Sequence, residues 1–171
     1  LTLSSKLAYK KLETSSSKKS NLIYSSRDGL DGITFYDKNA SEKSIFVDEG
    51  KFLELVKGAN GIYGAYSHCG LISYKFSEPC CAVDENSILE LDFYTAEFCV
   101  VKLSFMAETP SGVKEFSYSI EMKSGSIWQN VILKIGEFKS KEGMSIRKFQ
   151  NIFALKIESD GKYVVNNILL I

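Results

Sequence analysis

Histidine occurs once in this chain, tryptophan once and proline twice, and neither sign of charge dominates, with 21 Lys plus Arg against 21 Asp plus Glu. Each scarcity removes a class of function. With His68 as the sole imidazole, a serine or cysteine triad has one possible base, and no Gly-x-Ser-x-Gly elbow accompanies it. The glycines at Gly58, Gly61 and Gly64 lack the Lys-Ser/Thr ending of a phosphate-binding loop. A formal charge of zero supplies no overall field to gather a polyanion, which disfavours nucleic-acid binding and membrane adhesion through a general basic surface. No uninterrupted apolar run exceeds the four residues of the tail Ile168–Ile171, far short of the roughly 20 residues that span a bilayer. Cys69, Cys80, Cys81 and Cys99 permit disulfides but are too few to define a framework, and adjacent Cys80 and Cys81 lack zinc-ligand spacing. They read as small buried residues. The chain opens at Leu1 without a methionine, basic leader or cleavage site, and is read as a part of something longer.

What is present is an ordinary globular composition, 44% hydrophobic, 25% charged and 12% aromatic over 171 residues, the size of one folding unit. Residues 1–20 are rich in Ser and Lys and offer almost nothing to bury, so they read as a linker or loosely attached arm before a domain at 21–171. Period-two alternation follows. Leu89, Leu91 and Phe93 oppose Glu90, Asp92 and Tyr94; Val101, Leu103, Phe105 and Ala107 oppose Lys102, Ser104, Met106 and Glu108. Past the turn Thr109–Gly112, Phe116, Tyr118, Ile120 and Met122 oppose Glu115, Ser117, Ser119 and Glu121. The economical pairing is three consecutive antiparallel strands.

Further strands are expected with Val131, Leu133 and Ile135 inward, with Phe153, Leu155 and Ile157 inward, and from Tyr163 to Ile171, the last covered on both faces. Residues 139–148 form a polar loop or one helical turn. The first half is less regular, with β-branched or aromatic segments at 22–24, 33–36, 44–47, 52–56, 62–66 and 71–76. Many short strands and no long amphipathic helix indicate an all-β fold, an antiparallel β-sandwich of the jelly-roll kind.

The order Trp128 to Phe138, then Met144 to Ile152, then Tyr163 to Ile168 resembles carbohydrate-binding modules of the galactose-binding-like jelly-roll type. In those modules a Trp opens a strand ending in an acidic-Phe pair, here Glu137-Phe138, and an Asp-containing element closes the fold, here Asn166-Asn167-Ile168. Gly50 to Tyr66 agrees loosely. The resemblance implies a non-catalytic polysaccharide-binding module, for a plant cell-wall glucan or similar glycan, monomeric within a larger secreted or cell-surface chain and appended to a glycoside hydrolase or surface assembly. It also implies a structural calcium held by early acidic residues and the closing Asp. A neutral Asn oxygen weakens such a site, so calcium is not required, although Asp28, Asp31 and Asp37 remain available.

Sugar rings present C–H faces and hydroxyl rims, which call for aromatic platforms beside carboxylates, amides and amines. The expected site residues are Glu90, Asp92, Tyr94, Lys102 and Glu115 on a shared polar sheet face, Tyr66 with His68 lining a groove, and Trp128. For Tyr66, His68 and Trp128 the plain alternative is packing or a loop position. Two other functions stay open. A structural or protein-interaction sandwich has a largely aromatic-free concave face, and a small glycan-active enzyme needs two of Glu90, Asp92, Glu115 and Glu121 across a cleft.

Overall fold

The computed structural model describes residues 21–24, 33–37, 62–64, 69–77, 82–95, 97–125, 127–147, 151–161 and 163–171. Ten strands occur among them: β1 Asn21–Tyr24, β2 Ile33–Asp37, β3 Ile62–Gly64, β4 Cys69–Ser73, β5 Ile88–Thr95, β6 Cys99–Thr109, β7 Gly112–Met122, β8 Ile127–Lys134, β9 Asn151–Ser159 and β10 Tyr163–Leu170. The expected segments at 44–47 and 52–56, and the arm at 1–20, lie outside the described residues.

Two antiparallel sheets face each other. The first runs β1-β10-β5-β8, with β3 sharing the β1 edge of β10; the second runs β2-β4-β9-β6-β7. Except for the β6–β7 hairpin, each step from one described strand to the next changes sheet. This corrects the expected three-strand meander. β6 and β7 do pair along their whole length, from Cys99 with Met122 to Thr109 with Gly112, but β5 pairs with β8 and β10 in the opposite sheet.

Alternation builds the core as the sequence suggests. Leu89, Leu91 and Phe93 from one sheet meet Val101, Leu103, Phe105 and Phe116 from the other, all fully buried. Burying each such side chain contributes roughly 1.5–3 kcal/mol. Phe105 lies edge-on to Phe76 and Phe138, with ring centroids at 5.4 and 4.9 Å, so the short helical turns Lys75–Ser77 and Ile135–Glu137 close that end of the sandwich. Cys99 is buried against Gly161, where an added Cβ would fall 2.8 Å from the cysteine Cβ. The expected turn before β10 docks there, and Asp160 Oδ1 accepts the Val100 N–H at 2.7 Å.

Besides a register shift between Leu22 and Tyr24 of β1, bulges in β9 and β10 break simple parity. In β9, Met106 pairs with Ala154 but Ala107 with Ile152, so Phe153 is the extra residue and Ile152 takes the core position expected for Phe153. In β10, Asp92 pairs with Asn166 but Glu90 with Leu169; Asn167 takes φ 52°, a left-handed conformation that asparagine tolerates, and Ile168 turns into the core. All eight β10 residues are buried, as expected for a strand covered on both faces.

Candidate functional site

Because β5 and the β6–β7 hairpin belong to different sheets, the expected shared polar face divides in two. Glu90, Asp92, Tyr94 and Trp128 lie on the outer side of the first sheet, and Lys102, Ser104, Glu115 and Ser117 on the outer side of the second. The four acids considered as a catalytic set are split the same way, Glu90 and Asp92 from Glu115 and Glu121. Tyr66 and His68 lie outside the described residues.

On the first sheet the outward groups are taken up internally. Asp92 is 6% exposed; its Oδ1 accepts from Asn130 Nδ2 and its Oδ2 from Asn167 Nδ2, each at 2.9 Å. A buried carboxylate without such donors would be strongly disfavoured. Tyr94 packs against Val164 and the half-buried Trp128, whose ring centroid is 5.7 Å away. Glu90 is half-buried beside them, opposite Ile132 and Leu169. At the closing asparagines, Asn166 Oδ1 accepts the Asn167 N–H at 2.9 Å, and Asn167 Oδ1 is buried without a hydrogen bond. Among the described residues no three His, Cys, Asp or Glu side chains gather to hold a metal. Asp28 and Asp31 lie outside the described residues, and Asp37 is the last residue of β2.

The second sheet carries an open groove of about 420 Å³, lined by Lys102, Glu115, Ser117, Lys156 and Glu158 and rimmed by Lys139, Ser140 and Lys141. Register explains the floor. One row across the sheet runs Gly70, Glu158, Lys102, Ser119, and the next runs Ile72, Lys156, Ser104, Ser117. The backbone of Tyr36 continues the first row opposite Gly70.

Charges of opposite sign alternate along the floor. Glu115 lies 3.5 Å from both Lys102 and Lys156, and Lys156 lies 3.7 Å from Glu158. Ser104 and Ser117 hydroxyls meet at 2.9 Å. Partial burial pushes the Glu115 carboxyl upward, but the charge of Lys156, a hydrogen bond with Ser104 and the charge of Lys102 together outweigh it, so Glu115 titrates below its usual value. It is therefore ionised at neutral pH.

The rim is fixed by its own backbone. Lys139 exchanges two hydrogen bonds with Ser117, at 2.8 and 3.1 Å, which fastens the segment to the free edge of β7. Ser140, 7% exposed, accepts the N–H groups of Glu142 and Met144 at 3.2 Å, and Gly143 at φ 81° closes the turn in a conformation that excludes most side chains. This is the irregular loop expected at 139–148, over the described residues. Sequence reasoning included Lys102 and Glu115 but missed Lys156, Glu158 and the rim. The outward parity of Lys156 and Glu158 was a signal for the former; nothing local ties residue 139 to β7.

No protein-family model matches the sequence, and no curated protein matches it. Solved structures do. The C-terminal family 22 carbohydrate-binding module of Clostridium thermocellum Xyn10B has a TM-score of 0.54 at 9% identity, covering 86% of this chain and 89% of that one. An exo-β-agarase structure gives 0.51 at 14% identity, over 88% of this chain and 24% of the other. The N-terminal module and catalytic domain of Clostridium thermocellum Xyn10B, in complex with xylohexaose, gives 0.50 at 15% identity, over 82% of this chain. This chain spans about a quarter of those two longer structures, 24% and 26%. At such identities the likeness establishes the fold, the antiparallel β-sandwich that carbohydrate-binding modules share.

Proposed function

We propose that this chain is a non-catalytic module that binds a polysaccharide in the groove on its second sheet. The observation that carries the reading is the open row of ionised and hydroxyl groups on β9, β6 and β7. Glu115 and Glu158 accept hydrogen bonds from sugar hydroxyls, Lys102 and Lys156 donate them, and Ser117 does either, held from beneath by the buried Ser104. A rigid sheet holds these groups in place before binding, which limits the ordering cost. The sandwich shared with the modules of Xyn10B supports the same reading, as does the sequence resemblance to such modules. The groove's two acids are paired with lysines, which supports binding without turnover.

In this reading the chain is one module of a larger secreted or cell-surface protein, delivering an attached activity to its polymer. Affinity electrophoresis through gels containing soluble β-glucans, xylans, mannans, uronans or sulfated galactans tests it. Retardation by one or more polymers is expected, and it weakens in Glu115→Gln. Free migration through the whole panel would refute the proposal.

A further inference from the structure

The groove holds four lysines, Lys102, Lys139, Lys141 and Lys156, against two acids, Glu115 and Glu158. That is a local excess of two positive charges on a chain whose formal charge is zero. Both acids are engaged on the floor, Glu115 with Lys102 and Lys156, and Glu158 with Lys156. The rim lysines are not neutralised in this way. Lys139 Nζ bonds the Ser145 hydroxyl, and no ion pair involving Lys139 or Lys141 is present among the described residues. Glu142, the acid next along the rim, is turned to Lys114 at 3.6 Å and to Ser140 at 2.7 Å. No aromatic side chain lines the described groove; Tyr94 and Trp128 are on the other sheet. None of the described lining residues offers ring stacking, an absence expected of the structural or protein-interaction alternative, and charge is what these residues offer instead.

Building on the proposed polysaccharide-binding role, we infer that the glycan is acidic, carrying carboxylate or sulfate groups that the rim lysines Lys139 and Lys141 contact while the floor hydrogen-bonds the hydroxyls. The rim is suited to this because the Ser117 hydrogen bonds and the Ser140 turn fix the backbone that carries both lysines along one opening.

The test compares retardation of the chain in gels containing polygalacturonate, the same polymer after carboxyl reduction, a sulfated galactan, and a neutral β-glucan or xylan. Retardation by an acidic polymer is expected to exceed that by its reduced form, and to fall as salt is raised. The carboxylate and sulfate arms tell which anion is recognised. The double variant Lys139→Gln/Lys141→Gln is expected to weaken the acidic interaction by about four- to twenty-five-fold, taking about two- to five-fold for each exposed pair. Lys134→Gln, on an exposed site of β8, leaves it unchanged. Retention on neutral polymers alone, or acidic retention indifferent to the double variant, would overturn this inference and leave polysaccharide binding standing. No retention by any polymer would overturn both.

Discussion

The two outer faces of the sandwich begin from the same sequence rule and end differently. Both arise from strands whose alternate residues are polar, Glu90-Asp92-Tyr94 on β5 and Lys102-Ser104 on β6. On the first sheet the neighbours β8 and β10 bring Asn130 and Asn167 to Asp92, and Trp128 and Val164 to Tyr94, so Asp92 and Tyr94 become buried. On the second sheet the neighbours bring opposite charges at 3.5–3.7 Å beneath an open groove, so the groups stay in contact with solvent. What separates a structural polar face from a binding face is the identity of the cross-strand partners and what covers them, and alternation alone encodes neither.

The sharpest way to break this comparison is to remove Asp92. Asp92→Ala strands the buried Asn167 amide and frees the solvent-exposed Asn130, and is expected to cost about 3 kcal/mol, the upper end of the roughly 1.5–3 kcal/mol for a hydrogen bond to a charged group with a smaller share from Asn130. At about 2–4 °C per kcal/mol for a domain of this size, the melting temperature falls by about 10 °C. Polysaccharide affinity, measured well below the transition, is expected to remain within twofold. A large loss of affinity with little loss of stability would place the binding face on the wrong sheet.

The reverse pattern is expected on the second sheet. Lys156→Ala removes the amine shared by Glu115 and Glu158 and is expected to lower affinity for the retained polymer by about five- to ten-fold, while these partly solvated ion pairs are worth about 1 kcal/mol to stability. Titration calorimetry paired with thermal melting separates the two effects. Unchanged affinity would remove the floor of the groove from the interaction.

Much of this fold was legible in the sequence wherever one face of a strand meets the core. The inward sets on β5, β6 and β7 and the two-sided burial of β10 follow from period and composition. Sheet membership did not follow, because the chain changes sheet at nearly every connection and the parity of β5 is the same whichever strand it joins. The fate of Asp92 depended on residues 38 and 75 positions away. Phe153 was read inward because a bulge inserts one residue without any local mark such as glycine. For the site, Lys102 and Glu115 were identified from outward polarity, but their companions Lys156 and Lys139 reach them only through the pairing of β6 with β9 and of Ser117 with Lys139.

A smaller effect sharpens the comparison at the rim. Gly143 holds φ 81°, and an added Cβ there meets nothing within 4 Å, so Gly143→Ala is a purely conformational change of about 1 kcal/mol. No equivalent left-handed glycine supports the Asp92 cluster, where Asn167 takes that conformation itself. Gly143→Ala is therefore expected to loosen the turn that carries Lys139 and Lys141, weakening retention by an acidic polymer about twofold to threefold with little change in the core. Hydrogen exchange of the Met144 amide, which Ser140 accepts, reads the loosening directly. Exchange unchanged alongside weakened retention would detach the turn from the effect.

The smallest expected effect is on the pH dependence of stability. Glu115 is depressed below its ordinary pKa by Lys156, Ser104 and Lys102 acting against its own partial burial. The unfolded chain therefore takes up the proton first as pH falls, and the stabilisation this group contributes is complete above its unfolded value of about 4.3 and is lost on descending through the lower folded value. Because the face is partly solvated, the slope is shallow. Denaturant midpoints measured between pH 6 and pH 3 are expected to decline less steeply in Lys156→Ala than in the parent, since the largest of the lowering interactions on Glu115 is gone. Parallel declines in the two proteins would mean that the ion pairs of the groove floor do not couple to folding.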